Sequence, residues 1–357
     1  MDQTVIMNLP EGYRQLTRLL VESDWLHHFF NATEEQVYSP ANYQHNIHFS
    51  NITYTLLIDS NIYIYLRSAF QKPPQENFRK AIGLLYFCIN SGIQIDPFLP
   101  VMEEISFCSD MLETSIHNLD IFYAIDNYPD LESLLQYSLG IRDKLYLDES
   151  RIIASKGGEQ IRDWHSKYHL LEKWDLFYIT CLKIAIIDQL PVNNEMKFRQ
   201  FVLWEKKDFL FSPICMAYAM VCFSNNRMQG TIKYKKKQGM IERRKAINNM
   251  VWDLYFVNHF IKRFSEKDDN QEFLLASADK ALNRTSELAK CICFKAKPEE
   301  LKKILNTEEF YYWQIYNQVY EDETISRNFV KDKIKQPELH KQMVAEYEDI
   351  LGIREVL

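Results

Sequence analysis

Two aspartates stand at the ends of short apolar runs, the place from which a carboxylate can act on a ligand. TYTLLI (53–58) leads straight into Asp59, and EFLLAS (272–277) leads through Ala278 into Asp279. In a doubly wound sheet, ligands gather beyond the carboxyl ends of the parallel strands, so acids in these positions face the usual site of chemistry. If the two strands are neighbours, the carboxylates repel each other unless a divalent cation lies between them. Oxygen-only donors favour Mg2+ or Mn2+ over zinc. Such an ion activates water and neutralises charge building at an attacked phosphorus, as phosphodiester hydrolysis requires. The plainer alternative is that each aspartate caps the helix that follows, a position in which Asp is among the preferred residues.

The elements that must position these acids are few. Glycine and proline are scarce, 9 and 11 residues among 357, so long helices joined by compact turns account for most of the chain. TYTLLI and EFLLAS break that pattern as β-prone runs, and IQI (93–95) is a third, shorter candidate. In FRKAIGLLYFCINSG, between the first and third, Phe78, Ala81, Ile82, Leu85 and Ile89 recur at helical spacing after Pro73-Pro74 and before Gly92. A strand, helix, strand unit follows. The strands are continuously apolar rather than alternating, which points to a parallel sheet buried on both faces. Residues 111–239 read as helices without strands, and so do 291–357.

The ordered acids carry a resemblance. LLIDSN (56–61) resembles the opening signature of PIN-domain nucleases, an apolar strand delivering a metal-binding Asp followed by Ser or Thr and then Asn. IQIDPFLPVMEEI (93–105) is similar to the family's second segment, with Glu104, followed by Ile105, the better match and Glu103 the fallback. VWDLYFVNHF (251–260) resembles the third segment through Asp253, with Asp175 in the similar WDLFY as its rival. FLLASADKAL (273–282) supplies the closing strand and S-x-D, with Ser277 and Asp279 in the matching places. The resemblance implies an α/β but predominantly helical fold, a PIN-like core with a short parallel sheet flanked by helices. The core would occupy 51–110 and 240–290, after an N-terminal helical segment (1–50), interrupted by a helical insertion (111–239) and followed by a C-terminal helical extension (291–357). It also implies that Asp59, Glu104, Asp253 and Asp279 hold Mg2+ or Mn2+, with Asn61 and Ser277 orienting them, and that the substrate is RNA. On the Asp253 helix, Ile247, Met250, Leu254, Val257 and Ile261 form an apolar stripe with the acid at its edge.

Composition limits the partners. The formal net charge of −7 offers no global attraction for a polyanion, so contact with nucleic acid needs a local patch. KYKKKQGMIERRK (233–245) is that patch, with seven basic residues and one acidic. Lys233, Lys235, Lys236, Lys237, Arg243, Arg244 and Lys245 would meet phosphates, and Tyr234 would stack on a base. A solvated charged loop is the bland alternative. His165 and His169 share helical spacing in HSKYH, but the glutamate of a zinc-binding HExxH is absent. No P-loop, dinucleotide fingerprint or G-x-S-x-G elbow occurs. The most apolar stretch, FLFSPICMAYAMVCF (209–223), is too short to span a bilayer. Seven cysteines in mostly apolar surroundings read as free thiols of a cytoplasmic protein. The expected function is metal-dependent endoribonuclease, in the manner of a toxin or defence effector, with a protein regulator or homo-oligomer engaging the added helices. DNA cleavage and a non-catalytic interaction scaffold are the alternatives.

Overall fold

The computed structural model describes residues 7–354, apart from 31, 107–108, 168–170, 172, 229, 295–296 and 326–335. The chain divides into two compact units, each discontinuous in sequence. Unit 1 comprises Met1–His169 and Lys262–Asp279, and unit 2 comprises Leu170–Ile261 and Lys280–Leu357.

Unit 1 holds the sheet. Its strands are β1 (Leu26–His27), β2 (Thr53–Ile58), β3 (Gln94–Asp96) and β4 (Gln271–Ala276), in the order β1-β4-β2-β3. β2 runs parallel to both β3 and β4, while β1 pairs antiparallel with β4. The three apolar runs expected to be strands are therefore β2, β3 and β4. The carboxyl-terminal halves of β2 (Leu56–Ile58) and β4 (Phe273–Ala276) are buried, as strand segments covered on both faces must be. β1 lies in the segment expected to be helical throughout, and two residues show no periodicity from which to read a strand.

Nine α-helices lie wholly within the described part of unit 1: α1 (Tyr13–Ser23), α2 (Glu34–Val37), α3 (Pro40–Ser50), α4 (Ser60–Gln71), α5 (Glu76–Ser91), α6 (Phe98–Ser106), α7 (Leu112–Asp126), α8 (Leu131–Ser138) and α9 (Lys156–Lys167). α4 and α5 are separated at Pro73-Pro74, where the rings bar continuation of the helical hydrogen bonds. α5 ends at Gly92, whose left-handed φ of 69° lets its N–H reach the carbonyls of Cys88 and Ile89.

Unit 2 is helical in its described residues: α10 (Trp174–Asp188), α11 (Asn194–Asp208), α12 (Pro213–Cys222), α13 (Met240–Ser265), α14 (Lys280–Cys293), α15 (Pro298–Ile304), α16 (Thr307–Glu321) and α17 (Gln336–Leu351). The division between the units falls inside α13, after Ile261. Every residue of α12 after Pro213 is buried, so the most apolar stretch is a core helix. No helix among the described residues is long and apolar enough to cross a membrane. α17 is held by Trp204, whose indole N–H donates to the Tyr347 hydroxyl at 3.0 Å, and by Tyr178, which donates to Glu348 at 2.7 Å.

These units do not follow the boundaries read from the sequence. The stretch expected to be one insertion is shared, with α7 to α9 in unit 1 and α10 to α12 in unit 2. Helical periodicity identifies elements, but it carries no information on which neighbours they bury their faces against.

Candidate functional site

The site is built where β2 and β4 lie side by side. Ile58 pairs with Ala276, and the ladder continues one step further, Asp59 N–H donating to the Ala276 carbonyl at 3.0 Å. Asp59 is thereby fixed beside Ser277. It also caps α4: Oδ1 accepts the Ile62 N–H at 2.8 Å, so the capping alternative holds alongside the site geometry. Oδ2 accepts the Ser277 hydroxyl at 2.5 Å and, at 3.5 Å, the Asn61 amide. The same Ser277 oxygen accepts the Asp279 N–H at 2.9 Å, which ties the second acid to the first through one hydroxyl.

Asp59 is only 2% exposed. Burial pushes its carboxyl up to about 6, the hydrogen bonds from Ser277, Ile62 and Asn61 pull it back, and the charge of Asp279 adds to the rise. Asp59, Asn61, Ser277 and Asp279 thus come together at the ends of β2 and β4.

The other candidates take different places. The Glu104 carboxylate pairs with Arg67 and accepts from Asn118 at 3.3 Å, both fixed on helices α4 and α7. Its neighbour Glu103 accepts the hydroxyl of Ser60, the residue next to Asp59. Of the two glutamates, the fallback is the one that reaches the turn of the capping acid. Adjacent helical positions differ by about 100° in direction, a distinction that one apolar residue after Glu104 cannot encode. Asp253 belongs to unit 2, as does its rival Asp175. Both Asp253 oxygens meet the Lys233 ammonium, at 2.9 and 2.7 Å. Two residues assigned separate roles, metal ligand and phosphate contact, therefore form an ion pair with each other. The apolar stripe of α13 is buried throughout, as its spacing predicts.

The basic segment is also reassigned in part. Tyr234 is buried, and its hydroxyl donates to the Leu351 carbonyl at 3.1 Å, so its ring is not a surface for base stacking. Arg243 donates to the carbonyls of Gln238, Lys236 and Leu351, and Arg244 to that of Ile353. Leu351 is the last residue of α17 and Ile353 lies just beyond it, so Tyr234, Arg243 and Arg244 tie down that helix end, an attraction invisible from local charge counting. Lys235, Lys236, Lys237 and Lys245 remain exposed. His169 lies outside the described residues.

The sequence reading passed over one further acid. β3 also ends in an aspartate, Asp96, which stands in register with Leu57 of β2. Its Oδ1 accepts the Phe98 N–H at 2.9 Å, and burial raises its carboxyl despite the opposing charge of Arg263. The signal was present in IQID, the same pattern that singled out Asp59.

Among the described residues, no group of three or more His, Cys, Asp or Glu is arranged to hold a metal ion. The expected four-carboxylate sphere is thus absent from them. The Asp59–Asp279 pair has a different fit: Mg2+ keeps several waters and is often bound by one or two carboxylates together with substrate phosphate oxygens. A carboxylate can accept about four hydrogen bonds or metal contacts, and Asp59 accepts three, which leaves one lone pair. No family model, curated protein or solved structure matches this chain.

Proposed function

We propose that unit 1 carries a phosphodiesterase centre that hydrolyses RNA with the help of Mg2+ or Mn2+, in the manner of the PIN nucleases its motifs resemble. The observation that carries this reading is the Asp59–Ser277–Asp279 arrangement at the carboxyl ends of two adjacent parallel strands. A cation held by Asp59 and Asp279 would supply charge neutralisation and an activated water. Ser277 fixes the orientation of Asp59, and Asn61 steadies the same oxygen. Glu103, tied to Ser60, is the acid we place nearest to this centre in role, ahead of Glu104. Lys235, Lys236 and Lys237, exposed on unit 2, are assigned as phosphate contacts on that unit's own surface. The six described cysteines are free thiols, which suits a reducing compartment, and we assign the protein to the cytoplasm, in a toxin or defence role.

The test is cleavage of single-stranded and structured RNA, with DNA digested in parallel, in the presence and absence of chelator. Asp59→Asn and Asp279→Asn should each lower cleavage by about two orders of magnitude or more, the scale on which loss of a catalytic group acts. Chelator-resistant cleavage, or full activity in both variants, overturns the reading; preferred digestion of DNA reassigns the substrate.

A second reading, a non-catalytic scaffold, draws on the ion pairs that hold Glu104 and Asp253. Calorimetry with Mn2+ separates the two, because a scaffold yields no heat that depends on Asp59.

A further inference from the structure

Beside β3, unit 1 contains a cavity of about 480 Å³ whose wall includes Asp96, Phe98, Tyr123, Gln160, Trp164 and Arg263. Its volume lies within the range of small-molecule sites, and its composition is that of such a site, aromatic walls with a few polar groups. The Phe98 and Trp164 rings meet edge to face, with centroids 6.4 Å apart and planes at 90°. A flat ligand lying on one of these rings therefore turns its edge to the other, the arrangement that aromatic quadrupoles favour.

The polar groups narrow the ligand class. Asp96 retains accepting capacity after taking the Phe98 N–H. Arg263 lines the same cavity as Asp96, and its guanidinium lies over the Phe273 ring, with its carbon 5.8 Å from the centroid. A carboxylate beside a guanidinium asks for a ring edge that shows donors next to an acceptor. Guanine has that edge, with two adjacent N–H donors for a carboxylate and an oxygen acceptor for an arginine; adenine and cytosine offer a carboxylate only their exocyclic amine, and uracil a lone ring N–H. Asp163 also lines the cavity, so acids outnumber the cation and a phosphate group gains nothing inside.

We propose that this cavity binds a guanine ring, stacked on Trp164 or Phe98 and read by Asp96 and Arg263, with the sugar and any phosphate directed outward. The inference concerns binding alone and does not depend on phosphodiester cleavage.

The full chain is titrated without divalent cation against guanosine, guanosine monophosphate, adenosine, cytidine and uridine, by calorimetry and tryptophan fluorescence. Guanosine should bind saturably and at least tenfold more tightly than the other nucleosides, and the monophosphate no more tightly than guanosine. Asp96→Asn, which keeps an acceptor for the Phe98 N–H, should weaken guanosine tenfold or more, and Arg263→Gln should weaken it as well. Trp164→Phe should remove the fluorescence change while calorimetric binding persists. No heat with guanosine, equal affinity for another nucleoside, or unchanged affinity in a folded Asp96→Asn protein overturns the proposal. An Asp59→Asn protein, dead in cleavage, should bind guanosine as the parent does.

Discussion

At the scale of single residues, Asp59 combines capping with a position at the candidate site. Its folded-state carboxyl titrates near 6 rather than at the ordinary 3.8, so the stability it contributes is complete below pH 3.8 and is lost as pH rises through 6. The shift of about two units corresponds to roughly 3 kcal/mol of destabilisation at neutral pH. Asn also caps helices well, so Asp59→Asn should raise the melting temperature at pH 8 and change it little near pH 4, while cleavage is lost. Thermal scans at the two pH values check this, and an equal effect at both would show that Asp59 is already charged in the folded protein. Ser277→Ala removes the hydroxyl donated at 2.5 Å and should push Asp59 higher still, moving the acidic limb of the cleavage pH profile upward. An unmoved limb would remove Ser277 from any orienting role.

At the scale of elements, the end of α17 is anchored by side chains from 234 to 244. Tyr234 and Arg243 both donate to the Leu351 carbonyl, and Arg244 to that of Ile353. Arg243→Ala should cost about 1–2 kcal/mol and speed amide exchange along α17, since the bonds it loses are charge-assisted. Lys236→Ala and Lys237→Ala should leave stability within about 0.5 kcal/mol and lower RNA affinity, with a reduced salt dependence. If Arg243→Ala impairs RNA binding with stability intact, its assignment to the helix end fails. These residues mark the limit of legibility. β2, β3, β4 and the helix that stops at Gly92 were readable because each is a local pattern, and the Asp59–Ser277 pairing was readable because two strand ends carried matching signals. The Lys233–Asp253 pair, the burial of Tyr234 and strand β1 depend on residues distant in sequence, where local charge and hydropathy say nothing.

At the scale of the whole molecule, each unit contains a buried acid that contributes to its pH response. In unit 2, Glu205 is 1% exposed and accepts the Ser212 N–H at 3.1 Å and the Tyr320 hydroxyl at 3.2 Å. Burial pushes its carboxyl up to about 8, so the fold should weaken as pH rises from the ordinary 4.5 through 8. Glu205→Gln keeps the acceptor for Ser212 and should raise the melting temperature more at pH 9 than at pH 5; an equal effect at both would show that the acid is already charged. The sheet of unit 1 has a consequence of another kind. β4 lies between β1 and β2, and Ser277 stands 218 residues after the Asp59 it holds. At about 5–20 residues per second of synthesis, the ribosome takes about ten to forty seconds to make the intervening chain. Until then β1 has no partner strand, β2 lacks one neighbour, and Asp59 has neither its hydroxyl nor its fellow acid. A nascent chain therefore displays the motif long before it owns the acidic pair, and whatever chemistry that pair performs begins only after most of the chain has been made.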